Sequence, residues 1–134
     1  MRIISGIHGG RRFDTPHNLQ ARPTTDIAKE SLFNILQNRI DFEELSALDL
    51  FSGTGSISFE LLSRGASHVV SVEKERVQQL FIQKVAGELK IGRKLQLIRG
   101  ENIDSDNISL TDYQTMLVME ARLLKARQEL EGDA

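Results

Sequence analysis

The 134-residue chain has no cysteine, only two prolines, a single tyrosine and no long apolar run. Without cysteine there is neither a disulfide framework nor a thiolate metal site, a pattern that fits a reducing cytoplasm. No stretch approaches the roughly 18 apolar residues that a membrane span needs, so a soluble protein with no membrane partner is expected. The opening MRIISGIHGGRRF has no uninterrupted apolar segment behind its first arginine, which argues against a cleavable export signal. His8, His17 and His68 lie far apart, and no metal centre is expected. Repeats and low-complexity segments are missing as well. Length and an ordinary 40% hydrophobic content bound the chain to one domain with a modest core.

A surplus of basic charge is also missing. The formal net charge of −2 excludes a uniformly basic nucleic-acid binder, but the sum hides an asymmetry. Arg2, Arg11, Arg12 and Arg22 face only Asp14 in the first 22 residues, whereas the stretch from Glu101 to Ala134 is rich in Asp and Glu. A basic arm on a near-neutral body makes a local phosphate-binding patch, and charge alone leaves a solvated hairpin with incidental arginines as the alternative.

What is present is an alternation of patterns. Residues 1–14 cluster apolar and basic residues around GIHGG, whose glycines invite a turn, and predict a β-hairpin. In TTDIAKESLFNILQNRI, Thr25 can cap a helix with Asp26 in its first turn, and Ala28, Leu32, Ile35, Leu36 and Ile40 fall at helical spacing. SALDLF reads as a strand, SISFELLSR as a helix stopped by Gly65, and SHVVSVE as a second strand. Val77, Leu80, Phe81, Val85 and Leu89 mark another helix closed by Gly92, before a third strand, KLQLI, and the turn RGEN. Strands alternating with helices imply an α/β fold with a parallel sheet. Further on, Ser109 and Asp112 have capping-box spacing, and Met116, Met119, Leu123, Ala126 and Leu130 recur every three or four residues before Gly132. This spacing predicts one long terminal helix. Its stripe reads as a packing face, with a partner-helix or self-association surface as the alternative.

The chemistry centres on LDLFSGTG, residues 48–55. In an open α/β sheet, ligands sit beyond the carboxyl ends of strands, where helix N-termini offer free amides. Gly53 and Gly55 permit a sharp turn and a close approach, and Asp49 near the strand end can hold a positive or hydrogen-bonding group. Glu73 closes the second strand 18 positions after Gly55, near the spacing of about 20 at which an acidic residue grips ribose hydroxyls. A dinucleotide site wants a third glycine where this chain has Ser58, and Asp49 would repel a pyrophosphate. A cationic, phosphate-free nucleoside suits those charges better, and S-adenosylmethionine is one, although other nucleotides, or none, remain open on spacing and charge.

Four stretches together resemble the RsmD-type methyltransferases, which modify a guanine exocyclic amino group in small-subunit ribosomal RNA. They are MRIISGIHGGRRF, ARPTTDIAKESLFNIL, LDLFSGTGSISFELLSRGA and VVSVEKE, in uninterrupted order over roughly residues 1–102. The resemblance implies a Rossmann-like methyltransferase sheet with parallel strands in the order 3-2-1, after an N-terminal β-hairpin and before the long helix. It implies S-adenosylmethionine as cofactor, small-subunit ribosomal RNA or the assembling subunit as partner, and a cytoplasmic location. Asp49, Phe51, Gly53 and Gly55 would line the methionine and adenosine site, and Glu73 would hold the ribose. Thr24 and Thr25 would border the amino-acid end. Where the family has G-D-A after the third strand, this chain has Gly100, Glu101 and Asn102, so Glu101 would stand in near the adenine. Arg2, Arg11, Arg12 and Arg22 would contact RNA phosphates. Three segments are expected: hairpin and loop at 1–22, cofactor-binding α/β core at 23–102, and a divergent helical segment at 103–134.

One family feature has no match. Such enzymes carry an acidic or amide residue followed by P-P-Y at the end of the fourth strand, and the only prolines here are Pro16 and Pro23. Laid on that strand, DYQTMLVMEARL would bring Met119 and Glu120 to the catalytic position, but the stretch reads as helix, so no catalytic residue is assigned. Tyr113, the single tyrosine, is the one residue of its kind available to stack on a flipped base. The first strand would then be an exposed apolar edge, covered by the terminal helix, by a second copy in a homodimer, or by further chain. The alternative to an enzyme is a noncatalytic module that binds cofactor or RNA and acts through its terminal helix.

Overall fold

The computed structural model describes residues 1–17, 24–43, 45–50 and 52–100, together with the backbone course of 116–119. Three helices, α1 (Asp26–Gln37), α2 (Ser56–Ser63) and α3 (Arg76–Leu89), alternate with β1 (Ser46–Leu50), β2 (His68–Glu73) and β3 (Leu95–Arg99), and β4 (Met116–Met119) follows. The four strands form one parallel sheet in the order β3-β2-β1-β4. The expected 3-2-1 order is present, and β1 is central.

The period of two along each strand divides the core. Ala47, Val69 and Leu95 join Leu32 and Phe33 of α1, Phe59 and Leu61 of α2, and Ile82 and Val85 of α3 in one large cluster. Leu48, Val70, Val72 and Ile98, flanked by Leu50, form a smaller cluster on the opposite face. All described helical core residues therefore belong to one side of the sheet. Helix α2 lies deepest, with all eight residues buried, serines and Glu60 included. A helix buried on every side needs partners for its polar groups, and those partners make the two sites analysed below.

Several local expectations are corrected. Residues 116–119 were expected in a long helix, but they form β4, in parallel register with β1 from Ser46↔Met116 to Asp49↔Met119. The helical stripe used Met116 and Met119 and left Leu117 and Val118 on other faces, whereas strands of parallel sheets commonly read as runs of successive apolar residues, as MLVM does. Pairing also satisfies the free backbone groups of β1, so β1 is not an exposed edge. Tyr113, Leu123, Ala126 and Leu130 lie outside the described residues. Helix α1 ends at Gln37 rather than Ile40, and its buried residues are Lys29, Leu32 and Phe33, with Ala28 turned to solvent. Helix α3 is closed by Lys90 in the left-handed region (φ 59°), not by Gly92. The hairpin expected at 1–14 is present, with the antiparallel bridge Arg2↔Arg12 flanked by main-chain bonds between Met1 and Phe13, from the Ile3 amide to the Arg11 carbonyl and from the Gly10 amide to the Ile3 carbonyl.

Candidate functional site

The turn after β1 and the end of β2 meet at the carboxyl edge of the sheet. Ser52 binds the Val72 carbonyl through its amide at 3.0 Å and its hydroxyl at 3.2 Å, and the Gly55 amide closes the turn on the Ser52 carbonyl at 2.8 Å. Gly53 and Gly55 both have positive φ, 58° and 79°. At Gly55 the requirement is internal as well, because a Cβ there would meet Phe59 Cε2 at 2.7 Å and Ile82 at 3.1 Å. Its missing side chain thus lets α2 and α3 pack under the turn.

Glu73 faces that turn. Its Oε1 accepts the Gly53 amide and its Oε2 the Glu75 amide, each at 2.8 Å, while Gln79 binds the Glu73 carbonyl at 2.9 Å. Two backbone amides aim the carboxylate, and each oxygen has a second lone pair for a further donor. The geometry suits two adjacent hydroxyls, such as those of a ribose.

Asp49 is 3% exposed on the helix side of β1. Its Oδ2 accepts the Ser58 hydroxyl at 2.7 Å, and Ser58 Oγ lies 2.5 Å from Ser71 Oγ. Ser58, where a dinucleotide motif would have glycine, ties α2 to β1 and β2 through this buried chain. Burial pushes the Asp49 carboxyl up to about 7; hydrogen bonds from Ser58 oppose the rise, and the Glu73 charge adds to it. The described ion pairs join Arg2 to Asp26, Lys29 to Glu60 and Arg64 to Glu60, and none reaches Asp49. A dry carboxyl beside a second carboxylate, with hydroxyls as partners, suits a positively charged group.

The expected site residues divide accordingly. Asp49, Gly53, Gly55 and Glu73 are brought together. Thr25 spends its hydroxyl on capping α1 through the Ala28 amide at 3.2 Å. Lys29, one turn on from Thr25, reaches Ser56 Oγ at 2.9 Å. Phe51, Glu101 and Arg22 lie outside the described residues. Arg11 and Arg12 are exposed, with Arg11 stacked on Phe13 at 5.4 Å from the ring centroid. Arg2 is not a free cation, because its Nε lies 3.1 Å from Asp26 Oδ2. Sequence reasoning missed Ser58, Ser71, Lys29 and Glu60. Lys29 did carry a signal, a charge three and four positions before Leu32 and Phe33 on the buried stripe.

The model of a family described as conserved hypothetical protein 95 matches residues 1–116. The chain is 40% identical over 93 residues to ribosomal RNA small subunit methyltransferase D of Escherichia coli strain K12, covering 69% of this chain and 46% of the relative. It is 35% identical over 113 residues to the protein of the same name from Haemophilus influenzae, covering 84% and 54%. Among solved structures, yhhF of Escherichia coli, named as a proposed methyltransferase, superposes with a TM-score of 0.65 at 31% identity over 75% of this chain and 52% of that one. The chain thus spans about half the length of the curated relatives it matches.

Proposed function

The chain belongs to the family described as conserved hypothetical protein 95, and from that premise we propose that it seats S-adenosylmethionine at the carboxyl ends of β1 and β2 and serves methyl transfer to small-subunit ribosomal RNA. The observation that carries this reading is the pairing of two unlike carboxyls, Asp49 dry and without a cation among the described ion pairs, Glu73 aimed by two amides. When bound, S-adenosylmethionine supplies an electrophilic methyl on a cationic sulfur. Asp49 then stabilises the positive end of the ligand, and Glu73 accepts from the ribose hydroxyls. Gly53 and Gly55 keep the turn backbone clear of side chains. Glu101 borders the adenine and Phe51 the cofactor, by family likeness.

The acceptor is a guanine exocyclic amino group. Conjugation makes that nitrogen a poor nucleophile, so alignment must supply most of the rate. Arg11 and Arg12, with Arg22, contact RNA phosphates and set that alignment. No catalytic residue is assigned. A second reading is a module that binds cofactor or RNA without transfer.

Calorimetric titration with S-adenosylmethionine tests the first step, with Asp49→Asn and Glu73→Ala as variants. Binding that both substitutions weaken supports the site, and no binding by a folded chain removes it. Transfer of labelled methyl to small-subunit RNA then separates the enzyme from the binding module.

A further inference from the structure

The strands of the hairpin pair through four main-chain bonds around the bridge Arg2↔Arg12, and Ile3 and Phe13 join the core, with Met1 packed against it. A two-stranded hairpin is nonetheless marginal alone in water, and its own pairing does not set where it lies on the rest of the fold. Polar bonds to α1 and α2 do that. Glu60, fully buried, accepts the Ile4 amide at 2.8 Å and the Ser5 amide at 3.0 Å. Lys29, 1% exposed, donates to the Arg2 carbonyl and to Ser56 Oγ and lies 3.4 Å from Glu60 Oε1. Ser56 directly follows Gly55, so one ammonium joins the hairpin backbone to the first residue after the glycine turn. At the other end, the Ile7 amide binds the Ser63 carbonyl and the His8 amide binds Ser63 Oγ, each at 2.9 Å.

A buried ion pair is a poor way to gain stability, since well-packed apolar residues of similar volume often do as well. Its advantage here is direction. Apolar contacts allow a hairpin to slide, whereas two amides on one carboxylate and three acceptors around one ammonium define a single register. We propose that Lys29 and Glu60 are positioning residues that hold the arginine-bearing hairpin in fixed register with the glycine turn, so that RNA phosphates bound by Arg11 and Arg12 present the substrate to the cofactor site. This inference rests on the RNA reading given above.

The test uses the full chain, a short RNA stem-loop and S-adenosylmethionine. In the double variant Lys29→Met/Glu60→Gln, the Ile4 and Ser5 amides exchange with solvent at least tenfold faster while those of Val70 and Ile98 are unchanged, which reports a loosened hairpin on an intact core. RNA affinity falls about tenfold with a shallower salt dependence, and cofactor affinity stays within about twofold. Lys29→Arg, which keeps the charge and the donors, retains most of the RNA affinity. Unchanged exchange at Ile4 and Ser5 overturns the proposal, as does RNA affinity that survives a demonstrably loosened hairpin. Failure of the RNA reading looks different: the unsubstituted chain itself binds no RNA, and every titration is flat.

Discussion

Glu60 and Asp49 are both buried carboxyls on the helix side of the sheet, 0% and 3% exposed, yet their surroundings are opposite. Glu60 has two cations, Lys29 and Arg64, and two backbone amides. Asp49 has the Ser58 hydroxyl and, nearby, another acid. Burial of a charge is tolerated where partners replace water, so the first region is complete as it stands. The second has no cation among the described ion pairs, which is why a receptor role is proposed for it and a fastening role for Glu60, a distinction invisible in composition because both are acidic residues within twelve positions of each other.

The largest effect is expected from breaking the complete region. Lys29→Met leaves Glu60 with Arg64 as its one remaining cation in a dry interior and should lower stability by about 3 kcal/mol, while Lys29→Met/Glu60→Gln, which removes the buried pair and leaves Arg64 without its carboxylate, should cost less. Denaturant melts of the single and double variants check this, and equal losses would contradict it.

At Asp49 the expected effect depends on pH. The unfolded chain releases this proton near 3.8 and the folded one near 7, so the folded state holds more protons between those values. Stability should therefore fall as pH rises through that window, by roughly 4 kcal/mol in all, and level off above it. Asp49→Asn should abolish this decline and raise the melting temperature at pH 8. The same substitution should weaken S-adenosylmethionine binding about tenfold at pH 8, through loss of a charge-assisted contact. A pH-independent parent chain would refute the contrast.

Smaller changes sharpen the comparison. Gly55→Ala forces a side chain toward Phe59 at positive φ and should cost about 2 kcal/mol. Ser58→Ala removes the donor to Asp49, should raise the carboxyl's pKa further, and should cost about 1 kcal/mol by thermal melt. Asp26→Asn breaks the half-exposed pair with Arg2 and should stay within about 0.5 kcal/mol, provided the melt is run at physiological salt.

Much of this architecture was legible in the sequence, and the exceptions have physical causes. The β1-α2-β2-α3-β3 run could be read because its strands are short, with β2 rich in valine, and glycine turns and apolar helical spacing separate them. Asp49, Gly53, Gly55 and Glu73 were readable because the turn chemistry and the acidic spacing are local. Residues 116–119 misled because a four-residue apolar run carries no period of its own, and the pairing that decides it comes from β1, far away in the chain. Lys29 and Glu60 were missed for a related reason: each looks like an ordinary solvated helix charge until the hairpin closes over both. Ser58 was seen as a missing glycine, and its bond to Ser71 depends on two strands lying side by side.

The pairing of β1 sets an order of events during synthesis. Ser46 meets His68 across a single helix, but it meets Met116 only after the rest of the described core has been made. Short loops close first, so β1, β2 and β3 can assemble while β4 is still being translated. During that interval the far side of β1 is an unpaired apolar edge, open to another nascent chain. Slow translation before Met116 would therefore favour aggregation, and early delivery of β4 would suppress it.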